Sequence, residues 1–176
     1  MLIKSIYFLP TLRTNVLVLK ELLKLERILP KNTTHLDDWI EAFYHQINIT
    51  NPSELDLLDI AYRSNLKVEF LNISSRYYAG TIIIDNRLSP QEQWQDFGHE
   101  LCHALRHEGN QLIMPPLFRE LQEMQAKRFA YKFCIPTFML RHLKININNP
   151  LYEISSVFNV TYRFAKKRIG LVNLII

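Results

Sequence analysis

Cysteine, glycine and long apolar runs are scarce in this chain of 176 residues. The two cysteines, Cys102 and Cys134, do not form a CxxC pair, which excludes a disulfide-stabilised scaffold and a thiolate zinc site. The four glycines are too few for a Gly/Ser linker, and no apolar run approaches the about 20 residues of a membrane helix. We therefore expect a cytoplasmic protein that has no membrane partner.

The leucine-rich start of the chain has the position of a signal peptide but not its pattern. Charged side chains such as Arg13, Lys20 and Lys24 interrupt the apolar stretch, and no small-residue cleavage site follows. Apolar residues at helical spacing indicate an amphipathic helix instead. The sequence thus predicts a helical N-terminal extension over residues 1–32, ahead of a core that covers residues 33–148.

Local patterns in the core predict helices mixed with a small sheet. N-cap residues at Thr34 and Ser53 predict the start of two helices. The buried residues predicted on the second are Leu55, Leu58, Ala61 and Tyr62. The period then changes from helical spacing to alternation and to a β-branched run, which predicts two strands. The strands are Lys67–Leu71 and Thr81–Asp85. These elements predict a mostly helical α+β domain.

Positive charge is concentrated in the last third of the chain. Residues 1–124 contain 12 Lys and Arg against 16 Asp and Glu, whereas residues 125–176 contain 9 against 1. Such a basic segment faces nucleic acid, an acidic protein or only solvent. Within it, residues 149–176 predict two short helices that join at Asn159, with Thr161 capping the second.

This helix pair has helix-turn-helix spacing, and its second helix carries four basic residues. They are Arg163, Lys166, Lys167 and Arg168. One pair without a dimer interface binds DNA poorly. We therefore expect the pair to pack on the core with a basic outer face, and to bind DNA weakly at most.

The strongest motif lies in a helix that starts at Ser89, with Pro90 at its first position. This helix contains His99-Glu100-Leu101-Cys102-His103, an HExxH sequence. His99 and His103 leave the same face one turn apart, so both imidazoles can bind one Zn²⁺. Glu100 lies beside that face, where it can accept a proton from a water that the metal activates.

A third zinc ligand is needed, and three residues are candidates. His107 would extend the His99 and His103 stripe, but a straight helix cannot bring three successive turns to one tetrahedral ion. Glu123 and Glu120 lie on the next predicted helix. Glu123 is favoured because small residues follow it on the same face and allow the two helices to approach closely; Glu120 remains the alternative.

Three segments of the chain together resemble the ImmA/IrrE metallopeptidases. They are Trp94–His107, Glu123–Ala130 and Ile135-Pro136. The family pattern is HELGHxLxH, then E-x-E/Q-A-N-x-F-A, then a short apolar stretch and proline, and the resemblance covers about residues 35–170. Cys102 stands in place of the usual glycine and Lys127 in place of the usual asparagine, and neither is a ligand position.

The resemblance implies a zincin-like domain with its small sheet beside the HExxH helix and short helices at the C-terminus. It implies zinc on His99, His103 and Glu123, and Glu100 as the catalytic base. Members of the family are typically encoded by phages and mobile elements, and they cleave repressors of helix-turn-helix type. We therefore expect a zinc-dependent endopeptidase that cleaves such a repressor and relieves repression.

Two other functions are compatible with the same motif. One is a non-catalytic regulatory protein that contains zinc and binds a repressor or DNA, and the other is a toxin paired with a helix-turn-helix antitoxin. An intact Glu100 favours catalysis, since a purely structural site has no use for a base.

For catalysis, we expect an extended substrate to pair with the edge of the strand Thr81–Asp85. The oxyanion donor is left open among Tyr77, Tyr78 and His107. Asp96 is interpreted either as a group that orients a ligand imidazole or as a solvated charge.

Overall fold

Several helices and a small three-stranded sheet form the fold in the computed structural model, which describes residues 32–107, 114–143, 145 and 149–172. The helices are α1 (His35–Gln46), α2 (Leu57–Arg63), α3 (Pro90–Arg106), α4 (Pro116–Cys134), α5 (Thr137–His142), α6 (Pro150–Val157) and α7 (Tyr162–Val172). The strands are β1 (Lys67–Leu71), β2 (Arg76–Tyr78) and β3 (Thr81–Asp85). This confirms the mostly helical α+β class. The extension predicted for residues 1–32 lies outside the described residues except for Asn32.

The N-terminal caps decide where two of the predicted helices begin. Thr34 and Ser89 each form a capping box, as the sequence indicates. Ser53 instead lies in a short 3₁₀ turn, and α2 begins four residues later behind the Asp56 side chain, which accepts the Asp59 N–H at 2.8 Å.

This later start changes the buried face of α2, so the burial predicted for Leu58 and Tyr62 is wrong, since they are 57% and 84% exposed. The burial also predicted for Ala61 is confirmed, Leu55 is partly buried against the core, and Ile60 is buried although it was not predicted.

The sheet has the order β1-β3-β2, with β1 parallel and β2 antiparallel to β3. The predicted strands Lys67–Leu71 and Thr81–Asp85 are confirmed. Strand β2 joins β3 through a two-residue turn in which Ala79 and Gly80 both have positive φ, as in a type I′ hairpin. Because β3 is the central strand, the expectation that a substrate pairs with its edge is wrong.

Helices α3 and α4 pack closely through small residues. A Cβ atom on Gly98 of α3 would lie 2.8 Å from the Cys134 Sγ and 3.5 Å from the Ala130 Cα of α4. Ala126 and Ala130 are buried at the same interface. Aromatic rings surround this contact, with Phe129 and Phe133 stacked at 5.4 Å between their centroids. The close approach brings α4 side chains near the HExxH motif.

A buried polar cluster joins α1, α4, α5 and α7. The Asp37 carboxylate accepts hydrogen bonds from Lys132 Nζ and, at 2.6 Å, from Thr137 Oγ1. Arg168 of α7 donates to the same Thr137 Oγ1 at 2.8 Å and to the Ile135 carbonyl at 3.2 Å. Arg168 is only 2% exposed. Its assignment to a basic outer face is therefore wrong, because its guanidinium is directed at the α1 carboxylate.

The turn at Asn159 and the Thr161 cap that the sequence predicts for the C-terminal helices are present. Asn159 has φ 48° in the turn between α6 and α7, and Thr161 Oγ1 accepts the Phe164 N–H at 3.3 Å. Thr161 also donates to the Gln95 side chain of α3, so α7 begins in contact with the HExxH helix. In the described ranges no helix is long and apolar enough to cross a membrane.

Candidate active site

Three side chains from α3 and α4 converge on one point. His99 Nε2 lies 3.3 Å from His103 Nε2 and 3.3 Å from Glu123 Oε2, and His103 Nε2 lies 3.4 Å from Glu123 Oε1. Separations of this size are those of neighbouring ligands on a tetrahedral ion, where bonds of about 2.0–2.1 Å place two ligand atoms about 3.3–3.4 Å apart. The donor set therefore fits a metal ion. The alternative ligand Glu120 is exposed and outside this group.

A hydrogen-bonded chain runs from His103 away from this group. His103 Nδ1 lies 2.9 Å from His107 Nδ1, and His107 Nε2 lies 3.1 Å from Gln125 Oε1. Burial lowers the pKa of His103 to about 4 and also lowers that of His107, so both rings are neutral at pH 7. His107 thus contacts the ring of a ligand candidate and lies outside the three-residue group itself.

The direction of these two hydrogen bonds follows from the donor and acceptor atoms available. Gln125 Oε1 is an acceptor, so the neutral His107 carries its proton on Nε2 and accepts at Nδ1. His103 then donates from Nδ1, which leaves the lone pair of its Nε2 directed at His99 and Glu123. This is the tautomer that a metal ligand requires. The HExxH spacing alone gives no sign of Gln125.

Glu100 is buried next to the three-residue group and is 8% exposed. Burial raises its pKa from 4.5 to about 7, although the Tyr77 backbone N–H, which donates to Glu100 Oε2 at 2.7 Å, lowers it. The charges of Asp96 and Glu123 raise it further. A carboxyl group with a pKa near neutrality can both accept and return a proton.

These groups lie in a cleft of about 590 Å³. Strand β2 and the residues before it form one side, and α7 contributes to the lining together with α3 and α4. Of the three candidate oxyanion donors, Tyr77 lines the cleft, whereas Tyr78 and His107 do not. Asp96 lines it as well, but in the described part of the chain it makes no hydrogen bond to His99.

Comparison with known proteins identifies the family. The model of a peptidase family, described as "IrrE N-terminal-like domain", matches residues 61–170, which is more than half of the chain. The chain belongs to this family. This match confirms the resemblance to the ImmA/IrrE group. The peptidases of this family are metallopeptidases.

Two relatives of this IrrE-like peptidase come from Bacillus subtilis (strain 168). The "Phage-like element PBSX protein XkdA" is 42% identical over 144 residues, which cover 78% of this chain and 73% of XkdA. The "Uncharacterized protein YqaB" is 37% identical over 144 residues, which cover 78% of this chain and 84% of YqaB. No solved structure matches the chain significantly.

Proposed function

We propose that this chain is a zinc-dependent endopeptidase that cleaves a helix-turn-helix repressor of a phage or mobile element and so relieves repression. The observation that carries the proposal is the position of Glu100, buried beside the His99, His103 and Glu123 group at the cleft. Membership of a metallopeptidase family supports the reaction class. The phage-like element named for the XkdA relative supports the choice of substrate.

The residues of the chain have distinct parts in this reaction. His99, His103 and Glu123 hold the zinc ion, which supplies Lewis-acid activation of a water molecule and of the scissile carbonyl when it is bound. Glu100 accepts a proton from the attacking water and passes it to the leaving amine. Gln125 and His107 keep His103 in the tautomer that binds through Nε2.

The substrate segment aligns along β2. This strand pairs with β3 on one side, and among the described strands it has no partner on the other. The Tyr77 N–H donates to Glu100, so the middle of β2 faces the HExxH helix and the cleft. An extended peptide that enters the cleft along this edge would pass the catalytic carboxylate.

The test is Glu100→Gln, because glutamine keeps the size of the side chain but cannot accept the proton. We expect the variant to keep its zinc and to lose cleavage by about 100-fold or more. Zinc-loaded proteins are incubated with repressors encoded in the same mobile element, and the fragments are identified by mass spectrometry. Glu120→Gln is the matched control, since Glu120 is exposed and outside the metal group.

A further experiment separates an enzyme from a binder. In cells that contain Glu100→Gln, the repressed genes should remain silent, and the uncut repressor should co-purify with the variant. If derepression continues at the wild-type level, the proteolytic function is wrong and a non-catalytic regulator is supported instead.

A further inference from the structure

Basic side chains line the same cleft as the metal group. Lys127 of α4 and Arg163 and Lys167 of α7 are all exposed and all line it. None of these three forms an ion pair within the described residues, whereas other basic residues do. The paired ones include Arg63, Lys67, Arg87, Lys132 and Arg168. The three unpaired cations, named here the basic wall, are therefore available to a ligand in the cleft.

The acidic lining does not offset the basic wall. Three acidic residues share the cleft, and two of them, Glu100 and Glu123, belong to the metal site. This leaves Asp96 as the remaining carboxylate, while Arg76 adds a fourth basic residue on the β2 side. A cleft of this charge attracts anionic groups and repels cationic ones.

The helix geometry gives the position of the basic wall relative to the bond that is cut. Lys127 follows Glu123 by four residues, one turn or about 6 Å along α4. Tyr131 lies a further turn away, and its ring contacts the Phe164 ring of α7, with 4.6 Å between the centroids. Arg163 and Lys167 are also one turn apart, so both lie on the cleft face of α7. Along α4, Lys127 thus lies about 6 Å from Glu123, and the contact with α7 lies about 12 Å from it.

From this placement we propose that the basic wall is a specificity subsite for acidic side chains of the substrate. An extended peptide advances about 3.3 Å per residue, so the subsite selects Asp or Glu two to four residues from the scissile bond. The inference rests on the proposed endopeptidase function and defines its substrate class. Each exposed charge contributes modestly, and the three together are expected to give about a tenfold preference for an acidic over a basic residue.

The first experiment measures cleavage preference. A peptide mixture derived from a bacterial proteome is digested by zinc-loaded wild-type protein, and the cleaved sites are identified by mass spectrometry. We expect Asp and Glu to be enriched at one position two to four residues from the cut. The triple variant Lys127→Glu, Arg163→Glu, Lys167→Glu should instead enrich Lys and Arg there.

Lys166→Glu is the matched control, since Lys166 is an exposed neighbour on α7 that does not line the cleft. Its cleavage profile should equal that of the wild type. Cleavage without any acidic preference would overturn the subsite and leave the endopeptidase function intact.

The second experiment does not depend on cleavage. Binding of a fluorescein-labelled peptide with two Asp residues is compared by anisotropy with the same peptide carrying Asn. We expect the Asp peptide to bind about tenfold more tightly to the zinc-loaded wild type, and this advantage to vanish in the triple variant. If the Asp peptide shows this advantage while no peptide is cut, the subsite is supported and the proteolytic function is refuted.

Two results of the binding experiment would overturn the proposal. One is equal affinity of the wild type for the Asp and Asn peptides. The other is duplex DNA that displaces the Asp peptide at physiological salt, which would make the basic wall a nucleic-acid site.

Discussion

Gly98 is the position where the packing of α3 on α4 can be tested most directly. A Cβ atom there would lie 2.8 Å from the Cys134 Sγ, while carbon atoms in contact are about 3.5–4.0 Å apart and sulfur is larger than carbon. The sulfur cannot easily move, since Cys134 is fully buried and its Sγ–H donates to the Trp94 carbonyl at 3.5 Å. Gly98→Ala should therefore force α3 and α4 apart.

Two opposing contributions determine how much Gly98→Ala changes the free energy of unfolding. Alanine favours the helix over glycine by about 1 kcal/mol, whereas overpacking a core costs about 1–3 kcal/mol. Gly98→Ala should thus lower the free energy of unfolding by up to about 2 kcal/mol. In a Cys134→Ala background the clash is gone and the remaining contacts are ordinary, at 3.5 Å to Ala130 and Phe133. In that background Gly98→Ala should raise the free energy of unfolding by up to about 1 kcal/mol.

The assay is urea unfolding of the wild type, the two single variants and the double variant. The expected coupling energy is about 1–3 kcal/mol. Zinc affinity, measured by chelator competition, should fall in Gly98→Ala and recover in the double variant, because α3 carries His99 and α4 carries Glu123. Gly170→Ala is the control, since no atom lies within 4 Å of a Cβ at that helical position.

If Gly98→Ala and Gly170→Ala stabilise the wild type equally, or if Cys134→Ala does not couple to Gly98→Ala, the argument from close helix packing is refuted.

Two further predictions concern the hydrogen-bonded groups on either side of the site. Gln125→Glu, which only accepts, should preserve zinc affinity, whereas Gln125→Lys, which only donates, should weaken it about tenfold by favouring the wrong His103 tautomer; equal affinities in chelator competition would contradict the hydrogen-bonded chain. For Asp37, burial raises the pKa, but hydrogen bonds from Lys132, Thr137 and Thr34 outweigh it and lower the pKa from 3.8 to about 2. The Asp37 carboxylate therefore stabilises the fold by about 2 kcal/mol above about pH 4, and this stabilisation is lost as the pH falls through about 2. Asp37→Asn should flatten the pH dependence of the free energy of unfolding in urea between these pH values. An unchanged pH dependence in the variant would count against the polar cluster.

The parts of the site that were predictable from sequence depend on local geometry. His99 and His103 are four residues apart in a well-capped helix, so their common face follows from the helical repeat. Glu123 precedes Ala126 and Ala130 at helical spacing, which indicates a close helix contact, and in the structure it lies 3.3 Å from His99. Their roles as ligands stay predictions.

The remaining features depend on tertiary contacts that no local pattern encodes. Strand β2 has three residues, too few for an alternation to be recognised, and all are exposed. In the sequence Arg168 is one of several consecutive basic residues, and nothing there indicates that it is buried. Only its contact with the Asp37 carboxylate across the core sets it apart from its exposed neighbours. The contribution of α7 to the cleft likewise follows from its packing on α4, which its own sequence does not specify.

The buried contact of Arg168 has a consequence for engineering the specificity of this peptidase. Helix α7 presents Arg163 and Lys167 to the cleft, while Arg168 points into the core, where it bonds to Thr137 and faces Asp37 of α1. Substrate preference is therefore not carried by a freely exchangeable C-terminal module. A chimera that takes α7 from a relative must keep Arg168, or import the residues at positions 37 and 137 with it, for the grafted helix to lie at the same angle over the cleft.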